Sequence, residues 1–97
     1  MAEEKFFSTR DIYLATTLIT LKFFMDGIDF QMEQPLHGRG NAKTVGYFKF
    51  EDNDKIRLAE KQYRQGALAV EPKTFVTNLR TLKAELTNYY KSPYSKH

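Results

Sequence analysis

The stretch at residues 44–52, Thr-Val-Gly-Tyr-Phe-Lys-Phe-Glu-Asp, constrains the fold more than any other part of the sequence. On an extended chain, Gly46, Phe48 and Phe50 fall on one face, and valine, tyrosine and lysine alternate with them on the other. This period of two predicts a strand with one buried face. The fold must therefore provide partner strands at its edges and a cover for its two phenylalanine rings.

Two further strands are predicted beside this one. Residues 28–34 alternate strictly, and Ile28, Phe30 and Met32 are expected to join the core with the two phenylalanines. Residues 5–8 form a shorter candidate strand. Residues 35–43 contain one proline, two glycines and an asparagine, which are typical of a loop, and we expect this loop to join two antiparallel strands.

A first helix is predicted over residues 10–24, where apolar side chains recur at helical spacing. Ser8 or Thr9 is its expected N-cap, because a hydroxyl can accept a hydrogen bond from an unpaired amide, and Asp11 is well placed against the positive end of the helix. The helix is expected to stop at the Met-Asp-Gly sequence that ends at Gly27. A buried strand over residues 16–24 is the competing interpretation, since threonine is a weak helix former.

A second helix is predicted over residues 54–65, with Asp52 as its cap and Gly66 as its end. Its apolar positions are Ile56, Leu58, Ala59 and Tyr63. Residues 67–70 are short and apolar, which indicates a buried connection or a fragment of strand.

The third helix has the most regular period of the chain. It begins at Pro72, a residue favoured at the first helical position, and ends near Tyr90 or Lys91. One apolar seam steps along it by four and three residues, and Val76 and Tyr90 are expected to widen that seam. The seam consists of Phe75, Leu79, Leu82, Leu86 and Tyr89.

Together these elements predict an α+β fold with the order β-α-β-β-α-α. A helix connects the first two strands, so they run the same way, and the third strand runs back. With the third strand between them, the sheet is three-stranded and antiparallel, of order 1-3-2. The helices pack on one face of this sheet. A chain of 97 residues forms one domain. We expect a disordered N-terminus at residues 1–4, a single α+β domain at 5–91 and a flexible tail at 92–97.

The net charge of +3 is unevenly distributed, with −3 over residues 1–36 and +6 over residues 37–97. Arg39, Lys43 and Lys49 follow one another with no acid between them. Such asymmetry favours an anionic partner, although surplus lysines also keep small proteins soluble. A Gly-Arg-Gly loop can offer an arginine fork to phosphate oxygens.

The third helix carries a second set of basic candidates. Lys73, Arg80 and Lys83 fall on a side of the helix away from the apolar seam. They are expected to contact a nucleic-acid backbone or an acidic protein, and a solvated helix face is the alternative. The aromatic strand at 46–50 is a weaker candidate for base stacking, because Asp29 and Glu33 are expected beside it and would repel phosphate.

Several chemistries are missing from the sequence. The chain has no cysteine, and its two histidines show no zinc-binding spacing, so no metal or other cofactor is expected. His37 lies in the loop with no visible partner for base catalysis, and no nucleophile motif is present. We therefore expect a protein that is not an enzyme. No long apolar run or basic leader appears, which favours a cytoplasmic location.

Four short motifs resemble a known family. Residues 8–15 have the pattern Ser-Thr-x-Asp-x-Tyr-Leu-Ala, 46–52 Gly-Tyr-Phe-x-Phe-Glu-Asp, 66–72 Gly-x-Leu-x-Val-x-Pro, and 78–83 Asn-Leu-x-x-Leu-Lys. Over residues 6–90 the chain resembles a family of short proteins of unknown function from bacteria, archaea and phages. The resemblance implies a phage or mobile-element setting and no catalytic residues.

Two functions are expected from this reading. The first is a small accessory protein that binds nucleic acid without sequence preference through Arg39, Lys43, Lys49 and the basic side of the third helix. The second is a protein-interaction module, an inhibitor or adaptor of a host protein, which could act as a homodimer. It would use the same basic surface against an acidic protein, or the open face of the sheet.

Overall fold

The computed structural model describes residues 5–33 and 43–91, except for the side chains of residues 90 and 91. The strands are β1 (Phe6–Thr9), β2 (Met25–Glu33) and β3 (Lys43–Glu51). The helices are α1 (Ile12–Thr20), α2 (Asp54–Arg64) and α3 (Pro72–Lys91). The predicted element order is confirmed. The predictions for residues 1–4 and 92–97, and those for His37 and Arg39, lie outside the described residues.

The three strands form one antiparallel sheet of order β1-β3-β2, as predicted. Phe7 lies opposite Phe50, and Ile28 lies opposite Phe48, so these rings and aliphatic chains share one face. Between Met25 and Gly27 the pairing of β2 with β3 shifts by a bulge. The bulge belongs to a strand that starts three residues before the predicted one, because the first helix is shorter than expected.

The core lies between one face of the sheet and all three helices. Phe7, Phe48 and Phe50 form its sheet side, and each is almost fully buried. The helices supply Leu14, Ala15, Leu18, Ile56, Ala59 and Leu82. The opposite face of the sheet has no buried side chain among the described residues. The prediction that the helices cover one face is therefore confirmed.

Helix α1 has a different N-cap and a different end from those predicted, although Asp11 was expected near its start. The N-cap is Asp11, whose carboxylate accepts hydrogen bonds from the amides of Tyr13 (2.9 Å) and Leu14 (3.2 Å), so the prediction of Ser8 or Thr9 is wrong. The carboxylate is the better acceptor for two amides at a positive helix end. Lys22 adopts a left-handed conformation (φ 76°) and ends the helix, well before Gly27.

Helix α2 is capped by Asn53, whose side chain accepts a hydrogen bond from the Ile56 amide at 2.9 Å. The prediction of Asp52 as the cap is wrong, because that carboxylate pairs with the Arg57 guanidinium at 2.8 Å. Gly66 (φ 69°) ends the helix in a left-handed conformation, as predicted. Residues 67–70 form no strand, and none of their side chains is fully buried.

Helix α3 packs against α1 and reaches the sheet at its far end. The Tyr89 ring stacks on Phe30, with ring centroids 3.7 Å apart. A Cβ atom at Gly46 would lie 3.1 Å from Leu86, so glycine lets this helix approach the central strand closely. None of the helices in the described part of the chain has the length and apolar character that a membrane crossing requires.

Three apolar side chains that were expected to be buried are exposed instead. Met32 is 66% exposed, Leu58 is 55% exposed and Val76 is 44% exposed. Met32 lies on the covered face of β2, but no neighbouring element reaches it. At 100° per residue, Leu58 lies about 160° around α2 from the buried Ile56, and Val76 lies about 120° around α3 from the buried Leu82. The two helices are therefore rotated so that these side chains face solvent.

Candidate functional site

The start of α3 is fixed by the residue before it. Glu71 accepts hydrogen bonds from the amides of Lys73 (2.5 Å) and Thr74 (3.0 Å), and from the Thr74 hydroxyl (2.9 Å). Pro72 follows as the first helical residue, where its missing N–H costs no hydrogen bond. This cap gives the first amides of α3 an acceptor that the helix itself cannot provide.

Three cations lie together on the outer side of α3, and we call Lys73, Arg80 and Lys83 the α3 basic surface. All three are exposed, and none has an ion-pair partner among the described residues. At about 100° per residue, Lys73 and Arg80 point almost opposite to Leu82, the buried anchor of the helix. The same packing that buries Leu82 therefore turns these cations to solvent.

The acid of α3 is separated from this surface. Glu85 lies about 120–160° around the helix from each of the three cations. Glu71 is the next acid along the chain, and it is engaged in capping. The α3 basic surface therefore has a positive potential that no carboxylate of its own helix neutralises.

A shallow groove lies beside the first of these cations. It is lined by Pro72, Lys73, Val76 and Thr77, with a volume of about 440 Å³. Val76 provides an exposed apolar wall. The groove places an aliphatic surface and a hydroxyl next to an ammonium.

The sheet residues among the candidates lie on a different surface. Lys43 pairs across the strands with Glu33, and the Lys49 ammonium lies over the Phe6 ring, 4.6 Å from its centroid. Both lysines are on the uncovered face of the sheet, whereas α3 packs on the opposite face. The structure thus brings three of the candidates together on α3 and separates two others from them. Arg39 lies outside the described residues.

The uncovered sheet face has a polar network that the sequence analysis missed. Arg10 donates to the Glu33 carboxylate at 3.1 Å, and Tyr47 donates its hydroxyl proton to the same carboxylate. This hydrogen bond to Glu33 raises the pKa of the Tyr47 hydroxyl above its ordinary value. Residues this far apart in sequence meet only through strand register, which no local pattern encodes.

The described residues contain no cluster of metal-ligating side chains. No group of three or more His, Cys, Asp or Glu side chains could hold a metal ion there. The Tyr63 hydroxyl donates to Asp11 at 3.3 Å and joins α2 to the cap of α1. Burial, followed by the Asp11 charge, raises the pKa of Tyr63, and the pair has the geometry of a packing contact rather than of a proton-transfer site.

Acid should weaken the Glu71 cap at the start of α3. Hydrogen bonds from the Lys73 amide, then the Thr74 hydroxyl, hold the pKa of Glu71 below its ordinary value. A carboxylate with a depressed pKa in the folded state stabilises the fold above its unfolded pKa of about 4.3, and this contribution is lost as the pH falls through the lower folded value.

The Glu71→Gln variant should therefore have a lower free energy of unfolding than the wild type at pH 7. This difference should shrink gradually as the pH falls below about 4.3. Urea unfolding at several pH values measures it. Glu85→Gln is the matched control, because that exposed side chain caps nothing among the described residues. A Glu71→Gln difference that stays constant with pH would show that the carboxylate charge does not stabilise the cap.

Comparison with known proteins adds no constraint on the function of this site. No family model, curated protein or solved structure matches the chain. Its resemblance to the family of unknown function therefore stays a prediction.

Proposed function

We propose that this chain is a small non-enzymatic accessory protein, of phage or mobile-element type, that binds nucleic-acid backbones without sequence preference. The observation that supports this most is the α3 basic surface, with three exposed cations and no ion-pair partner among the described residues. Uncompensated cations on a rigid helix are the groups that phosphate oxygens bind most strongly. Arg39, in the basic loop predicted from the sequence, would add a contact of the same kind.

The spacing of these cations suits a phosphate backbone. From Lys73 to Lys83 the helix rises about 15 Å, at 1.5 Å per residue. One strand of a duplex carries one charge per ~3.4 Å, so this length spans about four phosphates. Arg80 can form two parallel hydrogen bonds to a phosphate from the middle of the helix, while the lysines act as flanking point charges.

The neighbouring side chains favour contact with the backbone over the reading of bases. Thr77 and Thr87 are exposed on the same side of α3 and carry hydroxyls that can bond to phosphate or sugar. No aromatic ring lies on that side of the helix among residues 72–89. Binding without sequence preference follows from this composition.

The uncovered sheet face is a poorer site for nucleic acid. Asp29, Glu33 and Glu51 project from it, and they would repel phosphate from Lys43 and Lys49. The aromatic residues Phe48 and Phe50 point away from it into the core. Nucleic acid should therefore approach the helix side of the protein.

Neutralising the α3 basic surface is expected to weaken binding to random duplex DNA about tenfold or more at 50 mM salt. The variant carries Lys73→Gln, Arg80→Gln and Lys83→Gln, and fluorescence anisotropy measures its dissociation constant. The matched control carries Lys5→Gln, Lys55→Gln and Lys61→Gln, which remove the same charge from other exposed sites. Equal weakening by both variants would show that only net charge matters, and the proposed surface would be rejected.

A second proposal is a protein-interaction module, an inhibitor or adaptor of a host protein. It is favoured by one observation, the aromatic ring of Phe24, which is 83% exposed at the edge of the sheet. Large exposed rings are enriched at protein interfaces. The contact through the Phe24 ring is apolar, so binding of the host protein would fall with salt less steeply than backbone binding.

A further inference from the structure

A cavity of about 200 Å³ lies at the edge of the uncovered sheet face, away from the α3 basic surface. It is lined by two aromatic rings, Phe6 and Phe24, and by two carboxylates, Asp26 and Glu51. Residues from β1, β2 and β3 meet there because Phe6 lies directly opposite Glu51 and the bulge of β2 contains Asp26. We call these four residues the edge pocket.

The rings of the edge pocket are unusually open to solvent. Phe24 is 83% exposed and Phe6 is 40% exposed, so neither ring is part of the buried core. The left-handed residue Lys22 ends α1 two residues before Phe24. Phe24 therefore lies between a helix and a strand, and the fold does not bury its ring. A single exposed ring needs no explanation, but two rings flanked by two carboxylates define a chemical preference.

The carboxylates of the edge pocket are uncompensated. Neither Asp26 nor Glu51 has an ion-pair or hydrogen-bond partner for its side chain among residues 5–33 and 43–91. In contrast, Glu33, Asp52 and Glu60 are each paired with an arginine. The cavity thus combines negative charge with aromatic faces, the two features that attract an organic cation.

One wall of the pocket already binds an ammonium group within the chain. The Lys49 Nζ atom lies 4.6 Å from the centroid of the Phe6 ring, a cation–π distance. Lys49 forms no ion pair with Glu51 in the described structure, so that carboxylate stays available to a second cation. The Phe24 ring carries no such internal cation among the described residues.

We propose that the edge pocket receives a lysine side chain from a basic segment of a partner protein. The ammonium would lie between Asp26 and Glu51, and its aliphatic stem would pack against the rings of Phe6 and Phe24. The volume is sufficient, since 200 Å³ corresponds to roughly six water volumes of ~30 Å³ and a lysine side chain has fewer heavy atoms beyond Cα. A negatively charged ligand is excluded by both carboxylates.

This site is independent of nucleic-acid binding. The α3 basic surface attracts anions on the helix side, and the edge pocket attracts cations on the sheet side. Loss of one activity does not imply loss of the other, so a negative result for nucleic acid leaves this inference standing.

The test is an NMR titration of the full chain with a short blocked peptide that has one central lysine between serine and glycine residues. Amide shifts are expected at Phe6, Glu51 and residues 24–26. The same peptide with an acetylated lysine, which has no charge, should bind at least tenfold more weakly. Phe24→Ala should weaken binding about three- to fivefold, because it removes the ring that covers roughly one methylene of the lysine stem. The double variant Asp26→Asn with Glu51→Gln should weaken binding about tenfold.

The control double variant is Asp54→Asn with Glu85→Gln, which removes two exposed carboxylates elsewhere and should leave the peptide affinity unchanged. Phe24 is so exposed that its alanine variant should keep the wild-type amide spectrum away from the pocket. The proposal is overturned if the acetylated peptide binds equally well, if the control double variant weakens binding as much, or if no amide near the pocket shifts at millimolar peptide.

Discussion

Replacing Phe48 with alanine is expected to lower the free energy of unfolding by about 3–5 kcal/mol. The ring is 1% exposed and lies in the central strand, where it contacts the core from the sheet side. Its removal loses the transfer free energy of a large apolar group and leaves a cavity that the neighbouring strands cannot close. The free energy of unfolding of a native protein is only about 5–15 kcal/mol, so this variant should be close to unfolding.

Phe24→Ala provides the matched control, since it makes the same chemical change at a ring that is 83% exposed. We expect it to change the free energy of unfolding by less than about 0.5 kcal/mol. Urea unfolding followed by circular dichroism measures both variants. Similar costs for the two substitutions would contradict the assignment of Phe48 to the core and of Phe24 to the surface.

Leu82→Ala is expected to lower the free energy of unfolding by about 2–5 kcal/mol. The loss of stability should be largest in α3. Leu82 is 2% exposed and is the only fully buried side chain among residues 72–89 of that helix. The other contacts of α3 are partial, such as the Asn78 amide that donates to the Thr20 hydroxyl at 3.1 Å. A helix with one fully buried anchor should separate from the core before the sheet unfolds.

Hydrogen exchange shows which helices and strands lose stability in this variant. Amides of α3 in Leu82→Ala should exchange faster than those of β3, whereas Leu58→Ala, at a side chain that is 55% exposed, should leave both patterns unchanged. Uniform acceleration across all elements would instead mean that α3 and the sheet unfold as one cooperative unit.

The sheet was predictable from the sequence because its signals are local. Alternation over residues 28–34 and 44–52 identified β2 and β3, and placing β3 between the two parallel strands that α1 connects gave the 1-3-2 order. The start of α3 was also predictable, because Pro72 gives a strong signal for a first helical residue. Each of these features is encoded by a few neighbouring residues.

The end of α1 was not predictable, and the reason is physical. The helix ends at Lys22, a residue type that rarely takes a positive φ, so the sequence offered no glycine or asparagine as a signal. Apolar residues continue to Met25, and they look the same in a helix and in a buried strand at this length. The predicted helix included Phe24, so the exposure of this ring was not predicted. The edge pocket also depends on where β2 begins, which the structure supplies.

The candidate site was partly predictable. Helical period alone placed Lys73, Arg80 and Lys83 on the side of α3 away from the seam, and the structure has them exposed there. The separation of these residues from Lys43 and Lys49 needed the packing of α3 on the opposite face of the sheet. The link between Arg10, Glu33 and Tyr47 needed the strand register.

The most direct test of backbone binding by α3 is the salt dependence of the affinity for random duplex DNA. Each neutralised phosphate contributes a slope of about −0.9 to log K against log salt. If three cations of the α3 basic surface contact phosphates, the wild type should show a slope of about −2.7 or steeper, and affinity should fall about 40-fold between 50 and 200 mM salt.

The Lys73→Gln, Arg80→Gln, Lys83→Gln variant should have a slope shallower by about 2.7 units, and the control with Lys5, Lys55 and Lys61 replaced should keep the wild-type slope. That pair of slopes is the predicted result. An absence of binding at 50 mM salt, or a slope that is the same in the wild type and in the α3 variant, would contradict the proposal.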